Sequence, residues 1–200
     1  MEGEERAWEL LTASDPRDVC ERAEADHSPG QGSYTLKAFG RPVVVTPATR
    51  TMSGSSAESE LILTKSAYFS RLSILYYLIG AQRIPPAGRL VRPSDLKAGQ
   101  IYLQGSHVLP LDKMAARFAR DEEAFLRQAG RFGGEQRAYG DAGAELRPFP
   151  RLPVTLVFWL EDDEFPARGD LLFDSTCEQH VPADILWSIA MLCVIVMLQP

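Results

Sequence analysis

The stretch that most constrains this chain is ILWSIAMLCVIVML, residues 185 to 198, in which Ser188 is the one polar residue. Each large aliphatic side chain gains about 1.5–3 kcal/mol on burial, so no stable fold leaves this run in water. As a helix it would reach roughly 21 Å at about 1.5 Å per residue, short of a bilayer core of about 30 Å. The expectation is a helix buried on nearly all sides, either in the core or at a homodimer interface. A membrane-associated tail is the alternative, and no membrane span is expected.

What must surround that helix is read from the rest of the chain. The 200 residues, 45% hydrophobic and 24% charged, suffice for one substantial core, and a single domain over residues 1–200 is expected. Residues 4 to 12 have the apolar spacing of a short amphipathic helix. Asp15-Pro16-Arg17-Asp18 then reads as an N-cap, a proline at the first helical position and a first-turn acid. YTLKAF and VVVT, joined across Gly40-Arg41-Pro42, read as a β-hairpin. PATRTMSGSSAESE, residues 47 to 60, has almost nothing to bury and reads as a mobile loop.

A buried helix is predicted from about Ser66 to Gly80, and a turn with a brief helical piece over LVRPSDLKAGQIYL. In residues 111 to 132, Leu111, Met114, Phe118, Phe125, Ala129 and Phe132 share one face at helical spacing. Lys113, Arg117, Arg120, Arg127 and Arg131 lie opposite. Asp121 can cap a new turn, so one helix or two in tandem fit. The basic stripe is a solvated face, or it meets an anionic partner or the acidic segment of the same chain. AELRPFP, LPVTLVFWL and DLLFD read as three strands, the middle one apolar on both faces and therefore central. Strands and helices without regular alternation give an α+β fold, a mainly antiparallel mixed sheet packed against several helices.

Charge is unevenly placed. Residues 161 to 184 hold eight acids against one base, Arg168, whereas the whole chain carries −6. That face repels phosphate, so no nucleic-acid partner is expected. Cys20, Cys177 and Cys193 show no clustered spacing, which points to free thiols of a reducing, cytoplasmic compartment and to no self-contained metal site. The N-terminus is acidic and amphipathic, unlike a secretion signal.

The chemical motifs are weak. The glycines from Gly130 to Gly143 follow a helix, whereas a phosphate loop follows a strand and opens one. Cys177 and His180 form a Cys-x-x-His pair, which is two ligands or a nucleophile with its base, and too few for a metal site. Ser106-His107 are only sequence neighbours, without a nucleophile elbow. The acid run Glu161 to Glu164 differs because VTLVFWL and DLLFD frame it, which places it near the tip of a hairpin. Either it is a hydrated tip, or partial burial separates the carboxylate pKa values and gives it a binding or catalytic role.

The block Leu152-Pro153, the apolar strand to Trp159, Asp163-Glu164-Phe165-Pro166, Leu172-Phe173-Asp174 and the terminal helix together resemble the family called domain of unknown function 3786. Ile74 to Leu78, Phe118 and Gly133-Gly134 extend the resemblance over about residues 60–190. Members of that family occur mostly in anaerobic bacteria and archaea, and some look like fusions to a cysteine-rich iron–sulfur domain. The resemblance therefore implies anaerobic redox or one-carbon metabolism, with an iron–sulfur or corrinoid redox partner protein. No particular cofactor is implied, and this chain lacks the cysteine cluster of the fused members. Two functions follow as expectations. The first is a non-catalytic binding or accessory module with Trp159, Asp162, Asp163, Glu164, Phe165 and Asp174 as candidate binding residues. The second is an enzyme using Asp163, Glu164 or Asp174 for proton transfer, its catalytic residues otherwise unassigned. Trp159 is expected within the main core.

Overall fold

In the computed structural model, which describes residues 2–97, 99 and 108–200, the chain opens with helices α1 (Glu2–Ala13) and α2 (Pro16–Ala23). The predicted cap of α2 is present: the Asp15 side chain accepts from the Arg17 backbone N–H at 2.8 Å, and Pro16 at the first position has no N–H to leave unpaired. A four-stranded antiparallel meander follows, from β1 (Asp26–Ser28) and β2 (Ser33–Ala38) to β3 (Arg41–Thr46) and β4 (Thr51–Gly54). The β2–β3 turn is two residues long, Phe39 and Gly40, both at positive φ (49° and 70°). This is the primed turn whose twist matches a hairpin. Gly40 adopts it freely, while Phe39 is held there by complete burial and an edge-on contact with Phe132, ring centroids 6.4 Å apart.

The segment expected as a mobile loop, 47 to 60, is built. It holds a 3-10 turn at Pro47–Thr49, all of β4, and the start of helix α3 (Ala57–Lys65). Its serines make a capping box: Ser59 N–H donates to Ser56 Oγ at 3.2 Å and Ser56 N–H to Ser59 Oγ at 2.9 Å, so residues that read as disorder close a helix N-terminus. Helix α4 (Ala67–Gly80) follows the predicted range.

After β5 (Leu90–Val91) and a 3-10 turn at Pro93–Asp95, the periodic segment forms two helices, α5 (Leu111–Phe118) and α6 (Glu122–Arg131). Asp121 caps the second by accepting from Ala124 N–H at 2.8 Å. The Gln100–Leu103 part of the predicted turn lies outside the described residues. Then come β6 (Glu135–Arg137), β7 (Ala142–Phe149), β8 (Leu152–Trp159), β9 (Arg168–Asp174) and helix α7 (Ala183–Leu198). The fold is α+β, with its antiparallel strands divided between two sheets. The second has the order β5-β9-β8-β7-β6, so β8 is central as its two-faced apolarity implies.

The terminal run is α7, with Ile185, Leu186, Ile189, Leu192, Cys193 and Val196 among its buried residues. It packs against α4, α5, α6 and β7. Its last carbonyls are met by the basic stripe: Gln128 Nε2 donates to Val196 O at 2.7 Å and to Gln199 O at 3.1 Å, Arg117 donates to Leu198 O and Arg131 to the backbone oxygen of Pro200. Cations at a helix C-terminus complement its dipole. Among the described residues no helix is long and apolar enough to cross a membrane. Ile189→Ala is expected to cost about 2–5 kcal/mol in urea unfolding, and Met191→Ala, on the half-buried side of the same helix, clearly less; equal losses would mean that the helix is not packed in this orientation.

Candidate functional site

Side chains alternate along β8. Leu152, Val154, Leu156 and Phe158 enter the core, and Phe158 stacks on Phe125 at 5.0 Å. Trp159 falls on the other face and is half-buried, which corrects its expected place in the core. A strand apolar on both faces carries no parity signal, and Phe158 takes the core position one residue earlier. Directly across the ladder from Trp159 stands Arg168, its guanidinium carbon 4.0 Å from the centre of the indole ring. This is a cation–π pair at close range.

The β8–β9 connection is fixed by backbone hydrogen bonds. Leu160 N–H donates to Asp141 Oδ2 at 2.8 Å, and Asp141 N–H donates to Phe158 O at 3.0 Å. Glu161 N–H reaches the Ala119 carbonyl, 3.0 Å away, at the break between α5 and α6, where Ala119 itself has φ 44°. Asp162 forms a closed turn: its Oδ1 accepts from Glu164 N–H at 2.8 Å and Phe165 N–H at 2.7 Å, and its own N–H donates to Phe165 O at 3.0 Å. Those backbone donors, aided by the nearby Arg120 charge, hold the Asp162 carboxyl below the ordinary carboxylate value. It is therefore ionised at neutral pH.

Beside this turn lies a cleft of about 670 Å³ whose lining includes Asp141, Trp159, Asp162, Phe165, Pro166 and Arg168. Its size is that of a small-molecule or side-chain pocket. Phe165 stands 66% exposed, unusual for a large apolar residue unless something covers it. The fold thus brings together three of the six candidate residues, Trp159, Asp162 and Phe165. Asp163 and Glu164 are exposed on the rim, with Asp163 3.5 Å from Arg120, which also lies 3.5 Å from Glu161. Asp141 and Arg168 were not singled out from sequence: Asp141 sits in a glycine-rich stretch that reads only as a turn, and Arg168 was noted only as the lone base.

Asp174 is elsewhere. At the end of β9 and 2% exposed, it accepts from Ala87 N–H (3.0 Å), Gly88 N–H (2.7 Å), Thr176 N–H (3.0 Å) and Thr176 Oγ1 (2.7 Å). Burial would push its carboxyl up, but these four donors outweigh it and hold the pKa below the ordinary value. Asp174 pins the Ala87-Gly88 turn to the sheet.

Cys177 and His180 lie at a buried 3-10 turn. Burial, with Glu178 and Asp174 adding, pushes the Cys177 thiol up to about 12, so it stays protonated and a poor nucleophile. His180 is held neutral by burial and by the Arg151 charge, against Asp174. Its Nδ1 accepts from Gln82 N–H at 3.3 Å, which leaves the proton on Nε2. Among the described residues no group of three or more His, Cys, Asp or Glu could hold a metal ion; Ser106-His107 fall outside those residues.

Asp174→Asn places an amide N–H against that of Gly88, and is expected to destabilise the fold by about 1–3 kcal/mol. Because the folded pKa is depressed, the native carboxylate stabilises fully above its ordinary value of 3.8 and loses this effect as pH falls through the lower folded value. The stability gap between wild type and variant should therefore be constant at neutral pH and shrink below about pH 4 in melting curves. A gap that does not shrink on acidification would contradict the assigned role.

No curated protein and no solved structure matches the chain significantly. The family described as a domain of unknown function, DUF3786, matches over residues 15–196, beginning well before the stretch in which the motifs are legible by eye; the chain belongs to this family.

Proposed function

We propose that the chain is a non-catalytic binding or accessory module of anaerobic redox or one-carbon metabolism. Its Trp159–Phe165 cleft receives a group from a cofactor or from an iron–sulfur or corrinoid redox partner protein. The observation that carries this reading is the combination of exposed aromatic surface with carboxylates already bound to backbone donors. Trp159 and Phe165 offer apolar area, while Asp141 and Asp162 are fixed by the Leu160, Glu164 and Phe165 N–H groups. A rigid, pre-ordered lining favours recognition because little ordering entropy is lost on binding. The alternative, proton transfer by Asp163, Glu164 or Asp174, has less support. Asp163 and Glu164 are exposed on the rim, and the oxygens of Asp174 are taken up within the fold.

The test is purification without oxygen of the wild type and of Trp159→Leu from the same source, followed by absorption spectra, native mass and identification of co-purified proteins. The wild type should carry a chromophore or a defined partner, with occupancy reduced at least about tenfold in the variant, equivalent to about 1.4 kcal/mol of binding, at an unchanged melting temperature. Asp163→Asn with Glu164→Gln should also leave the melting temperature nearly unchanged, since exposed like charges stabilise little. Equal loading of wild type and Trp159→Leu would overturn the reading.

A further inference from the structure

We infer that the occupant of the Trp159 cleft is a cationic side chain, an arginine or lysine, presented by a basic segment of a partner protein; this rests on the binding role proposed above. The cleft is built for a cation in three ways. First, its floor is an indole whose π surface already receives a guanidinium, that of Arg168 at 4.0 Å. Phe165, 66% exposed, supplies a second aromatic surface on the same lining. Aromatic faces attract cations through the ring quadrupole.

Second, the two carboxylates of the lining are each held by one oxygen only. Asp141 uses Oδ2 for Leu160 N–H, and Asp162 uses Oδ1 for Glu164 and Phe165 N–H. Among the described residues no donor reaches Asp141 Oδ1 or Asp162 Oδ2. Each carboxylate thus has a fixed orientation and a spare acceptor, and charge-assisted bonds from an ammonium or guanidinium are the strong ones. Third, the charge around the cleft is unbalanced. Asp141 and the four acids from Glu161 to Glu164 stand against Arg120 and Arg168 alone.

The rim decides between a free amine and a protein segment. A small ammonium ion would fill the cleft and leave Asp163 and Glu164, both outside it, with nothing to do. A basic segment that seats one side chain in the cleft sets its neighbouring positive charges against that rim, the complementarity that raises association rates between proteins.

The experiment uses the full chain and fluorescein-labelled peptides of a Gly-Ser background carrying several arginines, several lysines, glutamines or glutamates, with binding read by anisotropy. The arginine and lysine peptides should bind at least about tenfold tighter than the glutamine peptide, with an affinity that falls as salt is raised. Asp141→Asn with Asp162→Asn keeps the acceptor oxygens of both turns and removes two charges. This pair should weaken the basic peptides about tenfold or more at an unchanged melting temperature, and Asp163→Asn with Glu164→Gln should weaken them less. Free arginine should compete only at concentrations far above the peptide. The inference is overturned if basic and glutamine peptides bind alike, if the Asp141/Asp162 variant binds as the wild type does, or if free arginine matches the peptide. Should the anaerobically purified chain carry a ligand that Trp159→Leu loses while basic peptides are ignored, the binding role stands and the cationic occupant is refuted. If no ligand is carried and basic peptides are ignored, both readings fall.

Discussion

Burial of α7 is the constraint on which the other parts depend. A helix apolar around its whole circumference needs neighbours on every side, and α4, α5, α6 and β7 supply them. The requirement propagates. Arg117, Gln128 and Arg131 of α5 and α6 turn toward the end of α7 and engage its last backbone oxygens. That fixes the pair of helices, and with it the break at Ala119. Phe118 and Phe125, on either side of the break, meet edge to face at 5.5 Å and both approach Phe158. The Ala119 carbonyl is thereby placed where Glu161 N–H reaches it. The acidic turn is thus anchored, through a few contacts, to the most apolar helix of the chain.

Electrostatics alone would push that turn apart, since four successive carboxylates repel. Fixed donors oppose the repulsion: two backbone N–H groups on Asp162, one on Asp141, and the Arg120 guanidinium between Glu161 and Asp163. The exposed ion pairs are weak and screened by salt, so the geometry rests mainly on the backbone bonds. Asp174 reaches the same end by a different route. It is buried and surrounded by four donors, and its role stays inside the scaffold.

Legibility in the sequence followed the strength of periodic signals. The terminal helix, the Asp15 cap, the β2–β3 hairpin and the three late strands were readable because each rests on local pattern or local cap chemistry. The break at Asp121 was left open, since a continuous apolar face fits one helix as well as two. Residues 47 to 60 misled because serine has two uses, and the Ser56–Ser59 capping box looks in sequence like a flexible linker. At the site, the acid run and its aromatic frame were visible, while Asp141 was not: it arrives through β7, across a ladder whose register no short stretch encodes. Trp159 was placed on the wrong face for the complementary reason. In a strand apolar on both sides, neither parity is favoured until the helices that cover one face are known.

Phe158 and Trp159, adjacent in sequence, show how one strand serves both scaffold and recognition. With a side-chain period of two, the last core residue of β8 is necessarily next to a residue of the opposite face. Phe158 is locked between Phe118 and Phe125, and this sets the position of the following backbone. Trp159 inherits that position and needs no contact with the core of its own to be rigid. Arg168 is then fixed opposite it by the ladder, and Asp162 and Phe165 by a turn that begins three residues after Trp159. The cleft is therefore ordered by bonds that run through the backbone, and its side chains can serve recognition while the core beneath supplies the stability.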